Sequence, residues 1–261
     1  MDIAATPERR KGNVWSQKNV ASRDTTELER FARLVAHDLR GPLEVVRHEL
    51  RRQSTNADPA EDALESLFRE KAINSASRVL KVANRVLWYA RIATAPCPLQ
   101  RLNLETPLHD AIEALRNEGD DVPHFTTEVS TLPWVRGDAA LLCILFQEII
   151  LNAVRYTANA VPQVHVSMAP RHGSGCEVLI TDQGTGIPSD DIHRVFELLY
   201  RAPCHSHLPG TGVGLAAARR IMTLHGGEMA LSSQPGSGTI ARLIFPTVLA
   251  ANYQLKDDEM E

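Results

Sequence analysis

The chain of 261 residues carries a formal charge of -4, from 28 Lys and Arg against 32 Asp and Glu, and 43% of it is hydrophobic. That length suits one to three domains with ample apolar material, and the slightly acidic balance argues against nucleic acid or an anionic membrane as partner. Four scattered cysteines (Cys97, Cys143, Cys176, Cys204) argue against a disulfide framework or structural zinc, and no apolar run nears the roughly 20 residues that span a bilayer; a reducing cytoplasm is expected.

Residues 1–23 are polar and aperiodic and read as an arm, with no apolar core of a signal peptide. Asp24, Thr25 and Thr26 offer N-caps, with Glu27 and Glu29 in the favourable first turn of a helix. At 100° per residue Leu28, Phe31, Ala32, Val35, Leu39, Pro42, Leu43, Val46 and Leu50 gather on one side. After the loop "QSTNADPA", a second helical run begins near Glu61, with Leu64, Leu67, Phe68, Ala72, Ser75, Val79, Val82, Val86 and Tyr89 at steps of three and four. Residues 24–94 thus form an antiparallel helical hairpin whose apolar stripes it cannot bury alone. Two copies would close a four-helix bundle, which predicts a homodimer.

The segment "TAPCPL" breaks the pattern and marks a linker over 95–101. From Leu102 helical stretches (Pro107 to Asn117, Ala139 to Arg155, Gly212 to His225) alternate with strand-like runs (Gln163 to Ser167, Glu177 to Thr181, Glu228 to Ser232, Thr239 to Phe245). That pattern predicts an α/β sandwich over 102–250, followed by an acidic tail over 251–261.

His37 lies about 180° from the centre of the first apolar stripe, so its helix should carry it toward solvent. A lone surface histidine is ordinarily inert, but Asp38 can fix the imidazole tautomer and accept a proton, leaving the other nitrogen nucleophilic. Pro42 removes one backbone hydrogen bond just beyond it. "HDLRGPL" resembles the phosphoacceptor helix of sensor histidine kinases. Many members carry Thr or Asn four residues after the histidine, to orient a dephosphorylating water. Gly41 stands there in this chain and argues against phosphatase activity.

Three clusters in the second half carry nucleotide chemistry. "TDQGTGIP" follows an apolar strand: its glycines allow a tight turn, and Asp182 can accept from an exocyclic amine. "PGTGVGL" opens a helix, a ready phosphate site, without the strand and ribose-binding acid of a dinucleotide fold. Asn152 stands in an otherwise apolar helix, where an unsatisfied amide costs about 1–3 kcal/mol. Glu148 and Arg155 flank it by about one turn on the same face.

In chain order the Asn152 helix with "LPWVRGD" as its approach, then "TDQGTGIP", "VFELLYR" and "PGTGVGL", resemble the ATP-binding domain of histidine kinases of the GHKL type. The resemblance implies an ATP site in which Asp182 receives the adenine amino group and Gly184, Gly186 and Ile187 shape its pocket. Asn152, with Glu148 as a further candidate, would hold Mg2+ on ATP; Arg155 and Arg201 would face the phosphates and Tyr156 would line the nucleotide. Gly210, Thr211, Gly212, Gly214 and Leu215 would form the lid hinge and phosphate cradle, and Phe196 would pack the lid. His37 would then accept the γ-phosphoryl group with help from Asp38 and pass it to an aspartate of a response regulator receiver domain, under control of a separate sensor or regulatory protein. Two alternatives stay open: a gyrase-like ATPase using Glu148 as general base, and a phosphotransfer adaptor.

Overall fold

The computed structural model describes residues 45–46, 59–118, 122–157, 161–169, 175–205, 208–246 and 248–249. The chain divides into two compact units, residues 1–83 and 84–261. In the first, Val45 and Val46 are helical; Val46, on the expected apolar stripe, is half-buried, whereas Val45 is exposed. His37, Asp38 and Gly41 lie outside the described residues.

Helix α1 runs from Pro59 to Thr94, across the division between the units. Ala72 is buried, but Leu67, Ile73 and Leu80 are exposed, as is Leu87 in the second unit. Ile73, Leu80 and Leu87 recur every seventh residue, so they form a seam beside the expected stripe. The second unit takes the last turns of the helix into its own core through Ile92, with Trp88 and Tyr89 packed against that core.

The α/β part is a layered sandwich. Its main sheet has the order β2-β4-β5-β7-β6, built from Thr126–Val129, Gln163–Ala169, Cys176–Asp182, Thr239–Phe245 and Glu228–Ser233 for β2, β4, β5, β7 and β6. β2 pairs parallel with β4 and the other pairs are antiparallel, giving a mixed sheet. Alternation sets the faces: Val164 and Val166 of β4 are buried while Gln163 and His165 are exposed. Helices α2 (Glu105–Asn117), α3 (Ala139–Arg155) and α4 (Gly214–Leu224) join the same core, with Leu108, Leu142, Leu145, Phe146, Ile150 and Ile221 fully buried. Each such side chain contributes about 1.5–3 kcal/mol.

A second sheet joins β1 (Gln100–Asn103), β3 (Trp134–Gly137) and β8 (Val248–Leu249). Thus "WVRGD" is a strand, not only a helix approach, and its Asp138 caps α3 by accepting from the Leu141 N–H at 2.9 Å. α2 starts two residues before Pro107, because Asn103 Oδ1 accepts the Glu105 N–H at 3.0 Å and Pro107 is tolerated in a first turn. α4 starts at Gly214 instead of Gly212, whose φ of 70° is not helical.

Candidate functional site

β5 ends at Asp182 at the mouth of the sheet. Its Oδ1 accepts the N–H groups of Gly184 at 2.8 Å and Thr239 at 3.0 Å, which leaves Oδ2 as the oxygen able to face a ligand. Burial raises the Asp182 carboxyl pKa, and the two N–H donors oppose that rise. The turn after it is tied on both sides. Thr185 donates its N–H and its hydroxyl to the Tyr156 carbonyl, at 2.8 and 3.1 Å. The Ile187 N–H donates to Ser233 Oγ at 2.9 Å. Gly186 has φ of 70°, and a Cβ there would run into the Gln234 carbonyl, so only glycine fits.

The other wall is the inner face of α3. Glu148 is 8% exposed, and Asn152 Nδ2 is buried with no hydrogen-bond partner. Arg155 lies half-buried one turn on, and Tyr156 caps the helix. α4 begins directly opposite: a Cβ on Gly214 would sit 2.5 Å from Glu148 Oε2 and 3.8 Å from Asn152 Nδ2. A glycine is what lets the start of that helix approach the acid and the amide. Leu215 behind it is half-buried against the core, and Thr211 is half-buried in the approach.

These residues fit a metal-bound phosphate. The orphaned Asn152 Nδ2 donor costs about 1–3 kcal/mol unless an acceptor such as a phosphate oxygen satisfies it, and the Asn152 and Glu148 oxygens beside a helix N-terminus suit a hard cation accompanying that anion. Among the described residues no three His, Cys, Asp or Glu side chains could hold a metal together, so a cation here would also need oxygens from the nucleotide.

The lid connects the two walls. Arg194–Phe196 forms a short 3-10 turn with Phe196 buried in the core, and the Arg219 guanidinium lies 5.0 Å from its ring. Leu199 sits in the left-handed region at φ of 66°, an uncommon conformation for a γ-branched side chain. Tyr200 donates to Asp191 Oδ1 at 2.5 Å. Arg201 Nη2 donates to the carbonyls of His205, at 2.9 Å, and Leu208, so that part of the guanidinium holds the lid loop. His205 meets Thr185 Oγ1 at 2.8 Å, and its ring centroid is 5.0 Å from that of Tyr156. Gly210 is exposed beside the Tyr156 hydroxyl.

Asp182, Gly184, Gly186 and Ile187 therefore gather at one end of the cleft, and Glu148, Asn152, Arg155 and Gly214 at the other, with Tyr156 between them. Sequence reasoning misses Thr185, although it stands between the two glycines of the turn. It also misses Arg85 of α1, whose Nη2 donates to Glu148 Oε1 at 2.7 Å.

Residues 137–249 match the family model described as histidine kinase-, DNA gyrase B- and HSP90-like ATPase. Among curated proteins the chain is 28% identical over 228 residues to cyanobacterial phytochrome A of Nostoc sp., covering 86% of this chain and 29% of that protein. It is 28% identical to the adaptive-response sensory kinase SasA of Thermosynechococcus vestitus, over 84% of this chain and 60% of the relative. Identity to the sensor-like histidine kinase SenX3 of Mycolicibacterium smegmatis is 28%, over 83% and 56%. Together these likenesses support a sensor histidine kinase catalytic core. The chain spans less than two thirds of the length of each of these relatives. The core shares its fold with histidine kinase ThkA, solved with response regulator protein TrrA (TM-score 0.63, 15% identity, 92% of this chain and 68% of that one). It shares it also with ShkA, solved with AMPPNP (TM-score 0.55, 24% identity, 85% and 46%). Among the described residues no helix is long and apolar enough to cross a membrane.

Proposed function

We propose that this core binds ATP with Mg2+ between α3 and the lid, transfers the γ-phosphoryl group to His37 and passes it to an aspartate of a response regulator. The observation that carries this reading is the buried, unpartnered amide of Asn152 beside Glu148, opened toward a helix N-terminus by Gly214. Asp182 Oδ2 would accept the adenine amino group, with Gly184, Gly186 and Ile187 against the base and Tyr156 along the nucleotide. Asn152 would hold the Mg2+ ion through its carbonyl oxygen, with Glu148 beside it. Bound there, Mg2+ would neutralise charge on the phosphates. Arg155 would meet the phosphates by charge; Arg201, whose Nη2 is engaged by lid carbonyls, would hold the lid over them. Thr211, Gly212 and Gly210 would let that lid move, and Leu215 would anchor the start of α4.

At the acceptor, Asp38 would take the proton from one imidazole nitrogen of His37 while the other attacks. The P–O bond to ADP breaks as the P–N bond forms. Gly41 supports a kinase without phosphatase activity. Glu148 already bonds Arg85, which weighs against its acting as the water-activating base of a hydrolase.

We assign residues 24–94 to dimerisation and phosphotransfer and 102–250 to nucleotide binding, in a cytoplasmic homodimer. The exposed seam of Ile73, Leu80 and Leu87 supports the dimer, because such a heptad row needs a partner helix. Incubation with radiolabelled Mg-ATP tests the reading. Acid-labile label should appear on the wild type and be lost in His37→Ala; label retained by that variant, or nucleotide turnover without phosphoprotein, rejects it.

A further inference from the structure

Glu148 has two neighbours that belong to different tasks. Its Oε1 accepts from Arg85, on α1, at 2.7 Å; its Oε2 lies against Gly214, at the start of α4 and beside the orphaned amide of Asn152. The carboxylate is buried, so its charge needs a partner, and Arg85 is the cation that supplies one. Arg85 is itself held in place: its guanidinium lies 3.9 Å over the ring of Trp88, one turn on along the same face. The last turns of α1 are tied down around this pair. Val86 and Ile92 are buried, and Arg220 of α4 donates to the Ala93 carbonyl at 2.8 Å.

We propose that the Arg85–Glu148 pair is a latch, which seats residues 85–94 of α1 on the nucleotide helix and is released by the metal-bound triphosphate of a nucleotide. The proposal rests on the ATP-binding reading above. A cation brought to Asn152 and Glu148 meets a carboxylate already paired with a guanidinium, and two cations on one buried acid repel each other. Nucleotide and Arg85 therefore compete for Glu148. Linkage makes the competition reciprocal: loss of the latch tightens nucleotide binding by the factor by which nucleotide loosens the latch. Trp88 reports the state of the latch, because release removes the guanidinium from its ring.

The test uses the full chain labelled with 5-fluorotryptophan, whose Trp88 line is assigned by its loss in Trp88→Phe. Fluorine NMR then follows titration with Mg2+ and a non-hydrolysable ATP analogue. Saturation of the wild type should move the Trp88 line toward its position in nucleotide-free Arg85→Ala, and the line of that variant should barely respond. Arg85→Ala should bind the analogue at least about fivefold tighter, the lower end of ordinary coupling between sites. Arg85→Lys, which keeps the cation, should restore binding to within about twofold of wild type. A Trp88 line unmoved at saturation, or an Arg85→Ala affinity equal to or weaker than wild type, overturns the latch while nucleotide binding stands. If Arg85→Ala fails to fold, the wild-type titration with Arg85→Lys decides. A wild type that binds no analogue overturns both the latch and the reading beneath it.

Discussion

The two ends of the candidate site are built from different materials. Around Asp182 nearly every contact is with backbone: Gly184 and Thr239 N–H groups on its oxygen, the Tyr156 carbonyl on Thr185, the Gln234 carbonyl under Gly186. Around Asn152 the contacts are side chains, with Glu148 facing the glycine start of α4 and bonded by Arg85, and Arg201 holding the loop that leads to it. Backbone groups are fixed by the sheet and the helices, whereas long charged side chains exchange partners at small cost in packing. The difference teaches that the Asp182 end is preformed, whereas the Asn152 end, on the proposed reading, would respond to its ligand. Such a division suits an enzyme that first captures a nucleotide and then rearranges around it.

Breaking the preformed end should give the largest effect. Gly186→Ala puts a Cβ against the Gln234 carbonyl at positive φ, and neither group can give way without moving β6 or the turn. A loss of about 3 kcal/mol is expected, from left-handed strain together with overpacking. Urea unfolding of the whole chain measures it, and a variant as stable as wild type would show that the turn is not rigid.

Asp182→Asn probes the same end through affinity. A charged acceptor lost to a ligand donor should weaken ATP binding about tenfold, or about 1.4 kcal/mol, with the fold kept because Asn Oδ1 can still accept from Gly184 and Thr239. Its pH dependence has a definite sign. Burial raises the folded carboxyl pKa, so the folded chain holds that proton more tightly than the unfolded one. Wild-type stability relative to Asp182→Asn therefore falls as pH rises from the ordinary carboxylate range through the raised value. Melting both proteins across that range checks it; a difference that grows in favour of the wild type would contradict the burial argument.

The sequence makes the preformed end legible for the reason that makes it rigid. Asp182, Gly184 and Gly186 lie within five residues, and their turn follows a strand with an unmistakable apolar run. Asn152 is legible too, since one amide in an apolar helix stands out. The sandwich core emerges because α3, β4, β5 and β7 are long enough to show their periods. β1, β2 and β3, at four residues each, show none, and only their pairing defines them. The Arg85–Glu148 contact joins residues 63 apart in sequence, and one arginine among several on α1 carries no local mark. The exposed seam of Ile73, Leu80 and Leu87 escapes the wheel reading because α1 is apolar over a wide arc, so the buried stripe hides the second face.

The foundation of α3 offers a smaller test, on the helix that bears the responsive end. His225 is 3% exposed; its Nε2 accepts the Asp138 N–H at 3.0 Å and its Nδ1 faces the Ile221 carbonyl at 2.8 Å, which fixes a neutral ring with the proton on Nδ1. Burial lowers its pKa, against the opposing pull of the Ile221 carbonyl and of Asp138. The unfolded chain thus binds this proton more tightly, and stability is lost as pH falls below about 6.5, the ordinary histidine value. Thermal melts at stepped pH should show that loss in the wild type and less of it in His225→Gln. At neutral pH, Asp138→Ala should cost about 1 kcal/mol through the lost N-cap alone.

The smallest effect is expected at Gly210, and it discriminates most sharply between the two ends. A Cβ there would lie 3.5 Å from the Tyr156 hydroxyl and 3.9 Å from Arg201 Nε, ordinary contact distances, and the residue has no left-handed φ. Gly210→Ala should therefore change stability by less than about 0.5 kcal/mol, as for other exposed positions without special geometry. Its effect should appear in nucleotide exchange, since alanine restricts the unfastened lid more than the folded core. Stability equal to wild type with slower analogue release would place the proposed adaptability of the Asn152 end in the lid backbone. A stability loss comparable to that of Gly186→Ala would show instead that both ends are rigid, and the contrast between them would fall.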